Sequence, residues 1–181
     1  VSSWNNITMN DVSTKESSLL ALRMAQKTMT LLYNPHRILP LSKSQNQIVV
    51  MGPNANDSIM MWGNYNGTPR HTVTILDGIR QKIGADHVKY IEGCGLVENN
   101  KQNDQVRTAE ELVQQTGDIQ TIIFVGGISP KLEGEEMPVH VAGFKGGDRE
   151  DIELPAVQRE LIKALFKAGK KVILVNCSGS A

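Results

Sequence analysis

Short apolar runs alternate with helical segments along this chain, and that alternation restricts its fold more than any other feature. The runs are "QIVVMG", "HVKYIEG", "IQTIIFVGG" and "KKVILVNC". Strands that are separated by helices of ten or more residues pair in parallel, because a crossover helix returns the chain to the same end of the sheet. The pattern predicts an α/β fold with a mainly parallel sheet flanked by helices, a three-layer αβα sandwich of the flavodoxin-like or Rossmann-like kind.

Residues 1–45 precede the first of these strands, and we interpret them as a linker arm with one helix. Ser13 and Glu16 have the spacing of a capping box, and Pro35 is the expected stop of the helix. The apolar side chains of this segment fall on one broad helical stripe, which predicts core contact rather than a cofactor site: Leu20, Met24, Met29, Leu31 and Leu32.

Residues 46–181 carry the alternating pattern and form the predicted sandwich domain. Asp104 is the expected N-cap of its second helix, Pro155 lies in the first turn of its third, and Gly84 and Gly169 are expected helix ends. The chain starts without a methionine and ends straight after a strand-like run. We therefore expect further sequence on both sides and a sandwich that is truncated on its C-terminal side.

Charge and composition exclude several classes of function. Lys and Arg number 19, as do Asp and Glu, so the chain lacks the basic excess that nucleic-acid binding requires. No apolar run reaches membrane-spanning length, so we expect no membrane partner. The two cysteines, Cys94 and Cys177, have no metal-binding neighbours at zinc spacing, and we interpret them as buried thiols.

Ligands of open α/β sheets bind beyond the carboxyl ends of the strands, so the loops that leave those ends are the candidate sites. Neither "GPNAND" nor "VGGIS" has the spacing or the following helix of a phosphate-binding loop. "NCSGSA" is not a nucleophile elbow, and the four histidines, His36, His71, His87 and His140, are scattered.

The loop over residues 128–151, "ISPKLEGEEMPVHVAGFKGGDRED", is long, irregular and rich in carboxylates. Composition alone favours a solvated, mobile loop. The alternative is that one glutamate is a general acid/base, because a partly desolvated carboxyl group has a raised pKa and can exchange a proton near neutral pH. Glu133 is the favoured candidate, since it stands between an apolar Leu132 and a pliable Gly134. Asp148 and Arg149 are a candidate ion pair at the far end.

An ordered set of motifs resembles glycoside hydrolase family 3, and within it the bacterial β-xylosidase/β-glucosidase-like members. The motifs cover nearly the whole chain: "LLYNPHRILPLS", "VVMGPNAN", "GNYNG", "LDGIR", "YIEGC", "GDREDIELPAVQRELIKAL" and "KKVILVNCSGSA". Tyr33 replaces the lysine that is usual in the first of them.

The resemblance implies an exo-acting, retaining β-glycosidase in which an N-terminal TIM-like barrel carries an aspartate nucleophile and this domain lends the acid/base. That barrel is absent here, so the chain alone is expected to be inactive. The implied substrate is an oligosaccharide or aryl β-glycoside with a non-reducing terminal sugar. No cofactor or metal is implied, and the family suggests a secreted or periplasmic enzyme.

The acid/base position of the family falls on Glu133, because the stretch from Gly127 to Glu135 fits the pattern "G-x-x-x-x-(L/I)-E-x-E". One departure is the insertion "EMPVHVAGFKGG" before Asp148, which keeps Glu135 and Glu136 as rivals. A second hypothesis is a non-catalytic module of the same fold that binds a sugar or a protein. Trp62 and Tyr65 would then be its stacking surface, although core packing explains Trp62 equally well.

Overall fold

The computed structural model of the chain describes residues 2–44, 47–98, 101, 102, 105–134 and 137–179. The chain divides into two compact units, Val1–Pro40 and Leu41–Ala181. The first unit holds two short 3-10 turns and helix α1 (Lys15–Thr28). Everything that bears on the candidate site lies in the second unit.

Four parallel strands form the central sheet of the second unit, as the alternating pattern predicts. Their order is β2 (Val88–Ile91), β1 (Ile48–Met51), β5 (Thr121–Gly127) and β8 (Lys171–Cys177). The two inner strands are buried along their whole length, because a central parallel strand is covered on both faces. This burial explains why "IVVM" and "TIIFVGG" lack a polar alternation.

Helices cover both faces of the sheet. Val49 and Met51 of β1 point toward Leu112 of α3 (Ala109–Gln115) and Leu161 of α4 (Ala156–Lys167). The alternate residues of the same strand, Ile48 and Val50, pack with Leu76 of α2 (Ile75–Ile83) on the opposite face. The predicted α/β architecture, with helices on both sides of a parallel sheet, is confirmed.

Helix α1 differs from its prediction at both ends. Its N-cap is Thr14, whose hydroxyl accepts the Ser17 backbone N–H at 3.1 Å, and not Ser13. It ends at Thr28 rather than near Pro35, because the Thr28 hydroxyl donates to the Ala25 carbonyl and Met29 is already extended. Met29, Leu31 and Leu32 therefore lie beyond the helix.

The prediction that the apolar stripe of α1 makes core contacts is wrong for this chain. No residue of α1 is buried. The members of the stripe are all exposed, from Leu20 at 56% to Met29 at 79%.

The start of α3 also differs from its prediction. Thr108 is the N-cap, and it forms a capping box with Glu111 in which each side chain accepts the other residue's backbone N–H. The preceding residues pair as two short strands, β3 (Lys101–Gln102) and β4 (Gln105–Val106), so the helix begins later than expected. The predicted cap, Asp104, lies outside the described residues.

Two of the remaining helix ends agree with the prediction: Gly84 is the C-cap of α2, and Gly169 follows the end of α4 with a positive φ. Pro155 is the N-cap of α4, so it precedes the first turn instead of lying in it. In the part of the chain that the structure describes, no helix is both long and apolar enough to cross a bilayer.

Candidate functional site at the carboxyl edge of the sheet

A buried asparagine joins the loops that follow β1 and β5. The Asn54 side chain is fully buried, and its Nδ2 donates to the Ile128 carbonyl at 2.9 Å. The Asn54 backbone N–H donates to the Val125 carbonyl at 3.2 Å, so one residue holds the last part of β5 and the start of its loop. The acidic loop therefore starts from a fixed point.

A buried glutamine makes the corresponding link from α4. Gln158 is fully buried; its Oε1 accepts the Gly127 N–H at 2.9 Å, and its Nε2 donates to the Gly127 carbonyl at 2.8 Å. The same Nε2 donates to the Leu96 carbonyl, in the loop after β2, at 2.7 Å. Asn54 and Gln158 together bind three carboxyl-end loops to one another.

Sequence reasoning missed both of these residues. A signal was present for Gln158, since it stands between Val157 and Leu161 on a helix that is otherwise apolar on its buried side. A polar amide in such a position must find hydrogen-bond partners inside the protein. Asn54 follows Gly52-Pro53 at the end of a buried strand, and this position alone only weakly indicates that its side chain links two loops.

The loop after β5 opens with a tight turn that is centred on Ser129. Ser129 is 3% exposed, and its carbonyl accepts the backbone N–H of Leu132 at 2.8 Å and of Glu133 at 3.1 Å. Its hydroxyl oxygen accepts the Lys131 N–H at 3.3 Å. Glu133 therefore follows directly on a hydrogen-bonded turn, and it is half-buried.

Two further segments hold the backbone at Glu133. Asn64, in the loop after β1, donates its Nδ2 to the Glu133 carbonyl at 3.1 Å. The N–H of Gly134 donates to the Gly147 carbonyl at 3.1 Å. These contacts use backbone atoms, so they fix the position of Glu133 without occupying its carboxylate.

Gly147 lies in the turn of a β-hairpin whose first strand and turn belong to the stretch "EMPVHVAGFKGG" and whose second strand follows it. Strands β6 (Phe144–Lys145) and β7 (Asp148–Arg149) pair antiparallel, and Gly146 and Gly147 make the two-residue turn with φ of 63° and 93°. Such a turn requires positive φ at both of its residues, which glycine adopts without strain. The adjacent glycines between two short pairable segments were a hairpin signal that the sequence analysis did not use.

The described part of the acidic loop has an apolar cluster of its own. Ile128, Val139 and Phe144 are buried together, with Leu132 and Met137 packed against them. A wholly solvated loop, which composition alone favoured, is therefore excluded for these residues. At the far end, Arg149 donates to the Glu153 carbonyl at 3.0 Å, and Asp148 is exposed opposite Lys145.

An open cleft of about 400 Å³ lies at the same edge of the sheet, beyond β1 and β2. Its walls come from the loop after β1 and from the end of β2, with Asn56, Asp57, Tyr90, Glu92 and Cys94 among them. Glu133 does not line it. The prediction of two buried thiols is confirmed for Cys94, whereas Cys177 is only half-buried. Burial raises the pKa of the Cys94 thiol to about 12 and that of Cys177 to about 11.

The other candidate residues are exposed or only half-buried. All four histidines, His36, His71, His87 and His140, are exposed. Trp62 is half-buried and donates its Nε1 to the Thr72 hydroxyl at 2.8 Å, whereas Tyr65 is 86% exposed. Across the described residues no cluster of three or more His, Cys, Asp or Glu could hold a metal ion. Glu135 and Glu136 lie outside the described residues.

Comparison with known proteins identifies the family to which this chain is similar. Residues 29–181 match the glycosyl hydrolase family 3 C-terminal domain. The chain is 32% identical to a xylan 1,4-beta-xylosidase of Xylanibacter ruminicola, over 98% of this chain and 37% of that protein. It is 31% identical to the beta-glucosidase BoGH3A of Bacteroides ovatus, over 80% of this chain and 19% of that protein.

The solved structures include a GH3 exo-beta-xylosidase, XlnD, in complex with a xylobiose aziridine activity-based probe. It superposes with a TM-score of 0.77 at 30% identity, over 97% of this chain and 20% of that one. The chain thus spans between about a fifth and somewhat more than a third of the length of these relatives. The match over residues 29–181 and the shared fold lead to one conclusion: this chain belongs to the C-terminal domain family of the family 3 glycosyl hydrolases, related to β-xylosidases and β-glucosidases.

Proposed function

We propose that this chain is the acid/base-bearing part of a retaining, exo-acting β-glycosidase, either a β-xylosidase or a β-glucosidase. Its substrate is an oligosaccharide or aryl β-glycoside, from which the enzyme removes the non-reducing terminal sugar. Glu133 is the general acid/base. The nucleophile comes from an N-terminal barrel domain of the same parent protein, outside this chain.

The placement of Glu133 is the observation that carries the proposal. It lies just beyond the carboxyl end of a central parallel strand, where α/β sheets bind their ligands. The Ser129 turn and the Asn64 side chain hold its backbone, while the residue itself is half-buried. A carboxyl group on such a support can reach into a pocket that another domain completes, because the loop extends beyond the rim of its own sheet.

The chemistry needs two carboxyl groups, about 5 to 5.5 Å apart across the glycosidic bond. In the first step, the nucleophile attacks the anomeric carbon while Glu133 gives its proton to the leaving oxygen. In the second step, the Glu133 carboxylate takes a proton from water, which attacks the glycosyl–enzyme ester and releases the sugar. The proton and the carboxylate return to their starting states, so no cofactor is consumed.

The names of the relatives support the substrate class. Two of the relatives are named as a xylan 1,4-beta-xylosidase and a beta-glucosidase, and the XlnD complex contains a xylobiose aziridine probe. Export to the periplasm or the medium is part of the same proposal, and cell fractionation tests it.

A leaving-group comparison tests the role of Glu133 in the full-length enzyme. E133Q keeps the size of the side chain but cannot supply a proton as a carboxylic acid. Glycosides with poor leaving groups should lose activity by about 10²-fold or more in the first step, whereas activated aryl glycosides should lose much less in that step. Equal losses for all leaving groups would refute this role, and E135Q and E136Q would then be tested in the same way.

A further inference from the structure

We propose that the β6–β7 hairpin and Asn64 are positioning elements for Glu133, with Gly147 and Asn64 as the residues that act. This inference rests on the proposed acid/base role of Glu133. It assigns a function to the two-residue turn between β6 and β7.

The hairpin turn meets the loop at the residue that follows Glu133. The Gly134 N–H donates to the Gly147 carbonyl at 3.1 Å, and the two backbones approach closely. A Cβ added at Gly147 would lie 2.2 Å from the Gly134 carbonyl oxygen and 3.2 Å from the Met137 Cβ. Since that oxygen belongs to the backbone, no side-chain rotation can relieve the overlap, and the hairpin turn and the Gly134 segment must move apart.

Gly146 offers a matched comparison inside the same turn. Its φ of 63° is also left-handed, so an alanine is strained at either position, but a Cβ there would meet no atom within 4 Å. Both alanine variants therefore carry left-handed backbone strain, which is larger at Gly147 because its φ of 93° lies outside the usual left-handed range, and only G147A also overlaps the Gly134 carbonyl. The strain lowers stability, whereas the overlap displaces the backbone next to Glu133, so thermal melting and the leaving-group ratio report on the two effects separately.

Asn64 holds the other side of the peptide. Its Nδ2 donates to the Glu133 carbonyl at 3.1 Å. Asn66 makes a hydrogen bond of the same kind two residues later, from its Nδ2 to the Gly63 carbonyl at 3.0 Å, within its own loop. Replacement of either by aspartate removes the donor with little change in size, so N66D is the control for N64D.

The position of Glu133 matters for catalysis because a general acid must lie close to the atom that it protonates. The Glu133 carboxyl group must come within hydrogen-bond distance of the leaving oxygen, and a misplacement of about 1 Å can lower a rate by about 10²-fold. The Ser129 turn, Asn64 and Gly147 each hold the backbone at Glu133 or at the next residue by a hydrogen bond. Loss of one support should weaken proton transfer while sugar binding is preserved.

The test measures kcat/KM of the full-length enzyme on aryl glycosides with good and with poor leaving groups. G147A should lower the value for poor leaving groups at least 10-fold more than for good ones, while G146A changes this ratio less than twofold. N64D should shift the ratio in the same direction by a smaller amount, and N66D should leave it unchanged. Thermal melting of G146A and G147A measures the strain in the turn, and thermal melting of N64D and N66D measures the stability lost with each hydrogen bond.

Two comparisons separate failure of this inference from failure of the proposed function. If E133Q itself has no leaving-group dependence, the acid/base role is wrong and the positioning role falls with it. If E133Q has that dependence but G147A behaves as G146A does and N64D as N66D does, only the positioning role is overturned. A double variant adds a direct check, because G147A should cost nothing further on poor leaving groups in an E133Q background.

Discussion

Gln158 holds both backbone polar groups of Gly127: its Oε1 accepts the Gly127 N–H at 2.9 Å, and its Nε2 donates to the Gly127 carbonyl at 2.8 Å. A third hydrogen bond, to the Leu96 carbonyl at 2.7 Å, brings in the loop after β2. One side chain of α4 thus holds two of the three loops that surround the candidate site. Its loss should affect the stability of the fold and the order of the site together.

We expect Q158L to destabilise the protein by about 3 kcal/mol, because it leaves the buried polar groups of Gly127 without partners. Urea unfolding measures the change. Gln114, an exposed residue of α3, is the matched control, and Q114L should change stability by no more than about 0.5 kcal/mol. Equal effects of the two variants would mean that the buried amide contributes little.

We expect N54D to destabilise the protein by about 3 kcal/mol at pH 7, because a buried carboxylate would replace the amide that donates to the Ile128 carbonyl. The loss should shrink at low pH, where the protonated acid can donate again. Asn56 is exposed, and its Oδ1 accepts the Thr74 hydroxyl at 3.2 Å, a bond that aspartate can keep. N56D should therefore be nearly neutral, and a pH-independent N54D deficit would contradict this account.

We expect the two thiols to react slowly with a thiol-specific reagent at pH 8. Burial raises the pKa of Cys94 to about 12 and of Cys177 to about 11, from the ordinary thiol value of about 9. The reactive thiolate should therefore be about 10³-fold scarcer at Cys94 and about 10²-fold scarcer at Cys177 than in the unfolded chain. Stopped-flow labelling of native and urea-unfolded protein measures the rates, and fast native labelling of Cys94 would refute this burial.

The same shifts predict a loss of stability in alkali. The folded state favours the protonated thiol, so this contribution is complete below a pH of about 9, where the unfolded thiols are also protonated. It declines as the pH rises toward 11 and 12, the folded values of Cys177 and Cys94. C94A should flatten this decline in urea unfolding measured between pH 8 and pH 11, whereas an unchanged slope would assign the decline to other groups.

We expect the chain by itself to hydrolyse no β-glycoside, because the proposed nucleophile lies outside it. Prolonged incubation of the purified chain with activated aryl glycosides measures this, with the full-length enzyme as the positive control. Turnover by the chain that E133A abolishes would place both carboxyl groups within these residues and contradict the proposed division of the active site.

The sheet was predictable because its signals are local. "IVVM" and "TIIFVGG" are apolar throughout, which is typical of strands that are covered on both faces, and the helices between them fixed the parallel direction. The strand order was not predictable, since pairing of β1 with both β2 and β5 depends on contacts between residues that are far apart in sequence.

The candidate site was only partly predictable. Glu133 was identified from its neighbours and from the family pattern, but Asn64 comes from a distant loop and could not be assigned from local sequence. Gln158 carried a local signal, as a polar residue on the buried side of α4, that the sequence analysis did not use. The hairpin was missed because its strands have only two residues each. The end of α1 was misplaced, because the helical spacing of apolar residues continues past Thr28 whereas the helical backbone ends there.

The central claim is that Glu133 is the acid/base of a retaining glycosidase, and azide rescue tests it most directly. E133A in the full-length enzyme should react with an activated aryl glycoside but hydrolyse the glycosyl–enzyme slowly, because no base activates water. Azide needs no such base, so it should raise turnover and give the β-glycosyl azide, with the configuration of the substrate retained. If azide leaves turnover unchanged and free sugar is the only product, Glu133 is not the acid/base.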